Sequence, residues 1–273
     1  MKKIIAAVDF SPASKNAAYY AADLAVQINA DLLLVNVVEI PVGIGEMPGT
    51  AYVLDNMIAD SEKELQTLSA ELAEHANNKI KITSSTSMGP VTHALHELAK
   101  KENAFCIVIG TDSMTAAEHL LVKNHALAAA HSVTTPVLIV PPQTSFKGIR
   151  TVVLASDLRG YENIITLQIL KNWLRSFKVK LDVLNVVQGG QAVPENVTGS
   201  RTLLNELFEF NPEYHFIDNN KVNQGVEDYV DRNHSDLLVT MPGRRSFFNG
   251  LFHKSDSKQL IREPHVPVLS IYK

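Results

Sequence analysis

Short, unbroken apolar runs alternate along this chain with longer stretches whose apolar positions recur every three or four residues. Ile4 to Val8 is apolar throughout, as a strand covered on both faces requires. Ser11-Pro12 reads as a helix start, with serine as the cap and proline at the first helical position. Ala17, Ala21, Leu24 and Ile28 continue that helix as one stripe. Asp31 to Val38 predicts a second buried strand. After a loop rich in proline and glycine, residues 51–77 predict a long helix of Glu, Ala and Leu. Lys79 to Thr86 predicts a third strand, Gly89-Pro90 a helix running to Asn103, and Phe105 to Ile109 a fourth strand ending on Gly110. A helix over 116–131 and a fifth strand, Pro136 to Val140, follow. Strands alternating with helices imply βαβ units with right-handed crossovers and a parallel sheet.

The pattern then restarts. Thr151 to Ser156 leads into Asp157 as Ile4 to Val8 leads into Asp9, and Leu181 to Val187 (LDVLNVV) repeats Leu32 to Val38 (LLLVNVV). Leu237 to Thr240 matches the fourth strand, and the run from Val266 matches Thr135-Pro136-Val137-Leu138. The offset is 148 from Asp9 to Asp157 and 149 from Asn36 to Asn185. It is 131 for Gly110 to Met241, Asn124 to Ser255 and Pro136 to Pro267. One deletion of about 18 residues between the second and third strands of a duplicated domain produces that signature. The period far exceeds that of solenoid repeats, so each copy is a whole domain. We expect two tandem domains, over residues 1–142 and 149–273, each a five-stranded parallel α/β sheet. In the second, residues 200–210 stand in for the long helix.

Composition adds exclusions. A net charge of −4 argues against a general nucleic-acid surface. The longest apolar runs fall short of a membrane span, and Asp9 interrupts the N-terminal run before a secretory segment is complete. A cytoplasmic protein is the expectation. Cys106, the single cysteine, is expected as a buried core thiol. His93 and His96 lie three apart on a predicted helix without further ligands nearby, so solvent-exposed histidines rather than a metal pair are expected. No metal site and no catalytic residue is assigned.

Ligands of an open parallel sheet bind beyond the carboxyl ends of its strands, where strand order reverses. That places Asp9, Ser11, Val37 and the loops after Gly110 and Met241 under scrutiny. A strand-end carboxylate can accept hydrogen bonds from a ligand, although such an aspartate is equally a turn or capping residue. A glycine loop entering a helix lets backbone N–H groups reach a phosphate.

With Asp9-Phe10-Ser11, Val37 within LVNVV, and Gly110 followed by Pro136-Val137-Leu138, the chain resembles the universal stress protein family, once per copy. The resemblance implies a flavodoxin-like, Rossmann-like fold of strand order 3-2-1-4-5. It further implies ATP binding where a Gly-x-x-Gly-(x9)-Gly-Ser/Thr motif follows strand four. Here Gly110, Ser113, Lys123 and Asn124 occupy that motif in copy one, and Met241, Arg244, Lys254 and Ser255 in copy two. Asp9 and Asp157 match the family's strand-one aspartate, and Val37 and Val186 the residue expected at the base. The adenine end is thus better kept than the phosphate end. We expect Asp9, Ser11, Val37, Gly110, Ser113 and Asn124 to bind ATP or AMP weakly at most. Asp157, Arg244, Lys254 and Ser255 are expected to hold a small anion through side-chain cations.

The expected function is non-enzymatic: a stress-response protein that binds a small ligand and acts through protein partners. The alternative is an ATP-binding member with weak ATPase activity. A receiver-type phosphorelay domain is rejected because Ser84-Ser85-Thr86 offers no phospho-acceptor aspartate and no lysine precedes Pro136 or Pro267. A nucleotide-transferring enzyme is disfavoured by the lack of a complete P-loop. Each copy ends in an apolar strand, so an intramolecular pseudo-dimer through Pro136–Val140 and Pro267–Tyr272 is expected, with a homodimer as the other arrangement.

Overall fold

A computed structural model describes residues 1–39, 50–110, 135–156, 158, 164–187, 198–241 and 266–271. The chain divides into two compact units, Met1–Phe146 and Lys147–Lys273.

In the first unit, β1 (Lys3–Ala7), β2 (Asp31–Val38), β3 (Ile82–Met88), β4 (Cys106–Gly110) and β5 (Val137–Val140) form a parallel sheet in the order β3-β2-β1-β4-β5. Strand β1 is central because Ile4, Ile5 and Ala6 are fully apolar and tolerate cover on both faces. Cys106 is buried, as expected. Helix α1 (Pro12–Ile28) packs on β1 and β4 through small residues, among them Ala13, Ala17, Ala21 and Ala25. Helix α2 (Thr50–His75) lays Ser61, Leu65, Leu68 and Leu72 over β2 and β3, a stripe with spacings of four, three and four. Helix α3 (Val91–Lys101) covers the opposite face, with Leu95 and Ala99 against Ile5, Leu33, Val35 and Ile107.

The second unit contains β6 (Thr151–Ala155), α4 (Ile164–Leu174), β7 (Lys180–Val187), α5 (Thr198–Leu207), β8 (Glu213–Asp218), α6 (Val222–Arg232), β9 (Leu237–Thr240) and β10 (Val268–Ser270). Its order is β8-β7-β6-β9-β10, the same path as in the first unit. Ile4 pairs with Cys106 and Val152 with Leu237, so the registers differ by 148 on one strand and 131 on the other. The change falls between β7 and β8: Asn36 pairs with Thr86, and Asn185 with Phe216. Where α2 carries a long apolar stripe, α5 is short and is tied to α4 by ion pairs. Lys171 reaches Glu206 at 2.7 Å, and Arg175 holds Glu209 through two nitrogens at 2.9 and 2.7 Å.

Differences from the sequence reading are local. The third strand runs 82–88 rather than 79–86, because Asn77 and Asn78 take left-handed backbone (φ 50 and 54) and carry the chain out of α2 before pairing begins. Helices α4 and α6 and strand β8 were not legible as elements. The mixed polarity of Glu213-Tyr214-His215-Phe216-Ile217-Asp218 hides an edge position, where only one neighbour fixes the strand.

Candidate functional site

The order β3-β2-β1-β4-β5 reverses between β1 and β4, so the crevice beyond their carboxyl ends is the natural ligand position. Three expected residues converge there. Ala7 pairs with both Val35 and Ile109, which sets Asp9 level with Val37 on one side and just beyond Gly110 on the other.

Asp9 is exposed and held in a turn. Its Oδ1 accepts from the Ser11 N–H at 3.0 Å, and its own N–H donates to Ser14 Oγ at 3.2 Å. Burial of the carboxyl works against its ionisation, but hydrogen bonds from Ser11, Ser14 and the backbone outweigh it and hold the Asp9 pKa below its ordinary value. Phe10 has φ 66, an uncommon left-handed conformation for a bulky residue, and it turns the chain sharply into α1. Ser11 caps α1 as expected: its Oγ accepts from Ser14 N–H at 3.2 Å, with Pro12 at the helix start.

A residue that the sequence reading used only as a repeat marker fixes this turn. Asn36 Nδ2 donates to the Val8 carbonyl at 2.7 Å, and its Oδ1 accepts from Ser61 Oγ at 2.9 Å. The Val8–Asp9 peptide is therefore pinned at both ends, its C=O by Asn36 and its N–H by Ser14. In the second unit Asn185 Nδ2 donates to the Ser156 carbonyl at 2.8 Å, and Leu158 has φ 57 where the first unit has Phe10. The recurrence of Asn-Val-Val was the available signal for this clamp.

Val37 is half-buried and packs with Ile109 and Val91 against the α3-side core, leaving it at the rim of the crevice. Gly110 has a packing reason of its own. A Cβ there would lie 2.3 Å from the Ala13 carbonyl oxygen, so the end of β4 approaches the first turn of α1 too closely for any side chain. Ser113 and Asn124, and the expected anion set Asp157, Arg244, Lys254 and Ser255, lie outside the described residues.

Sequence spacing assigned no metal ligands, yet the fold brings Asp182, Glu213 and His215 together on the α6 face of β7 and β8, their ligand atoms within 4.8 Å of one another. Of the two α3 histidines, His93 is exposed, but His96 is half-buried and its Nδ1 lacks a hydrogen-bond partner, contrary to the expectation of two solvated rings. Among the described residues no helix is long and apolar enough to cross a membrane.

The strand order, the crossover helices and the crevice at the β1–β4 reversal define a Rossmann-like α/β protein. A sequence model of the universal stress protein family matches residues 1–141, about half the chain, and the chain belongs to that family. A universal stress protein A homolog of Coxiella burnetii is 33% identical over 146 residues, covering 51% of this chain and 95% of the relative. A universal stress protein of Methanocaldococcus jannaschii is 26% identical over 140 residues, covering 51% and 81%. Among solved structures, a universal stress protein from Archaeoglobus fulgidus matches with a TM-score of 0.70 at 16% identity, covering 99% of this chain and 96% of that one.

Proposed function

We propose that this chain is a non-enzymatic universal stress protein of the cytoplasm. Its first unit holds a degenerate adenine-nucleotide site, and it acts by binding a small ligand and protein partners. The observation that carries this reading is the Asp9 turn. A carboxylate that hydrogen bonds keep ionised is presented, exposed, at the strand-order reversal beside the apolar rim of Val37. That pairing suits the polar edge and the flat face of a base. The phosphate end is weaker: Ser113, Lys123 and Asn124 stand where the family's ATP-binding members have Gly, Gly and Ser or Thr. Each lost charge-assisted contact costs about 1.5–3 kcal/mol, so two losses move a micromolar constant towards millimolar. We read the second unit as a further domain of the same family. Its matching strand order, the Asn185 clamp and the left-handed Leu158 support this.

Calorimetry of the whole chain with Mg-ATP and with AMP tests the site. The expected constant is no tighter than about 10 µM, lost in Asp9→Ala, with no phosphate released from ATP. Submicromolar binding indifferent to Asp9, or turnover above the buffer rate, overturns the reading.

A further inference from the structure

Period-two alternation on β8 puts Glu213 and His215 on the same face, and Asp182 is the register partner of Glu213 on β7. This face packs under α6, where Leu184, Val226 and Val230 form an apolar core. Asp182 is fully buried at the margin of that core. Its Oδ2 accepts from the Tyr229 hydroxyl at 3.1 Å, while its Oδ1 accepts no hydrogen bond. The His215 Nε2 is likewise buried without a hydrogen-bond partner, 3.7 Å from Asp182 Oδ1 and 3.7 Å from Glu213 Oε2. One cation already stands here: Lys180 Nζ lies 3.3 Å from Asp182 Oδ1 and 2.9 Å from Glu213 Oε2.

The first unit shows that the fold does not need these groups. With the offset of 149 set by Asn36 and Asn185, Asp182 replaces Leu33, which is buried against Leu95 and Ala99. The partner of Leu33 on β3 is Thr83, and the residue two further on is Ser85, so no ligand-type side chain occurs there. A carboxylate buried in place of a leucine is a cost that a structural role alone does not require.

We propose that Asp182, Glu213 and His215 form a site for a divalent transition-metal ion of the zinc class, entered by displacement of the Lys180 ammonium. Three observations converge. Zinc bonds to nitrogen and oxygen of about 2.0–2.2 Å place tetrahedral ligands about 3.4 Å apart. The two 3.7 Å separations to His215 Nε2 need only a small closure to meet that. An imidazole ligates a metal in its neutral form, so the two carboxylates and the Lys180 ammonium sum to −1, and a dication in place of the ammonium makes the set neutral. Lys180 is half exposed on a flexible stem, so it can swing into water without leaving a buried charge. Three protein ligands leave a fourth position for water, and an imidazole-carboxylate set suits zinc, nickel or copper rather than calcium or magnesium.

The test titrates the full chain with Zn²⁺ by calorimetry, alongside His215→Ala, Glu213→Gln and Lys180→Met. Because the nine other histidines offer weak sites elsewhere, the readout is the difference between variants. The wild type is expected to bind one more tight equivalent than His215→Ala or Glu213→Gln, and Lys180→Met to tighten that equivalent tenfold or more. Zn²⁺ should also raise the melting temperature reported by Trp173, the single tryptophan, and not in Glu213→Gln, whose exposed side chain makes misfolding no explanation. Equal stoichiometry and affinity in all four proteins overturns the site and leaves Lys180 as its permanent cation.

Discussion

At the position where β2 of the first unit buries Leu33 against α3, the second buries Asp182 beside Lys180, His215 and Tyr229. Strand order, central strand and asparagine clamp are the same in both units. One strand order therefore tolerates an apolar or an ionic lining at the matching sheet position, provided the charge is answered locally. The ionic version still tells on its surroundings. Burial first, then the Asp182 carboxylate, push the Tyr229 phenol well above its ordinary pKa. Lys180 and Glu213 move each other apart, the ammonium upward and the carboxyl downward. The units also differ in their cover: the apolar stripe of α2 shields β2 and β3, while the shorter α5 buries Leu203 and Leu207, is joined to α4 by the Lys171–Glu206 ion pair, and is followed by Phe208 and Phe216, which stay exposed.

The sharpest way to break this comparison is to exchange the linings. Leu33→Asp places a carboxylate where no lysine, tyrosine or histidine answers it, and should cost about 3–5 kcal/mol in urea unfolding followed by circular dichroism. The reverse exchange, Asp182→Leu with Tyr229→Phe, should be neutral or stabilising when unfolding is read from Trp173 fluorescence. A loss above about 2 kcal/mol there would show that the ionic lining holds the second unit together.

Next in size is the approach of β4 to α1. Gly110→Ala must displace the Ala13 backbone and should cost about 1–3 kcal/mol, with loss of any nucleotide binding. Met241 holds the matching place in the second unit, so Met241→Ala should be far milder. The asparagine clamps come third. Asn36→Ala removes a buried donor to Val8 and an acceptor for Ser61, and should cost about 1–3 kcal/mol. Asn185→Ala, for which the carbonyl of Ser156 is the partner, should cost less. Equal losses would mean that the Ser61 link contributes nothing.

The smallest effect concerns Asp9 and acid. Its folded pKa lies below the unfolded one, so its contribution is present above about pH 3.9 and is lost as pH falls from there through the folded value. Asp9→Asn should therefore lower stability slightly at neutral pH and flatten the acid limb of the stability curve. Ser11→Ala, which removes the cap, should cost about 1 kcal/mol by thermal unfolding. It should also raise the Asp9 pKa followed by NMR; an unmoved pKa would show that the Ser11 N–H, which alanine keeps, supports the carboxylate and the hydroxyl does not.

What the residue order determined by itself is periodic or local. The apolar runs of β1, β2, β4 and β5 could be read directly, because parallel strands covered on both faces are built largely from apolar residues. The start of α1 was equally plain, because a serine cap followed by proline acts within one turn. The restart of the pattern, with its offset dropping by about 18, was visible for the same reason. Strand β8 was not, since an edge strand needs little hydrophobicity; helix α6 does carry the stripe Val222, Val226, Tyr229 and Val230, but it is short, mostly polar otherwise, and Gly225 lowers its helix propensity. Tertiary structure alone decided what Gly110 is for, because its constraint is the backbone of Ala13, nearly a hundred residues away. It alone assembled Asp182, Glu213 and His215, whose spacing resembles no metal motif and whose proximity comes from strand register. The trace that remained in the sequence was one aspartate in LDVLNVV where LLLVNVV has leucine. Its meaning depended on knowing which face of the sheet it enters.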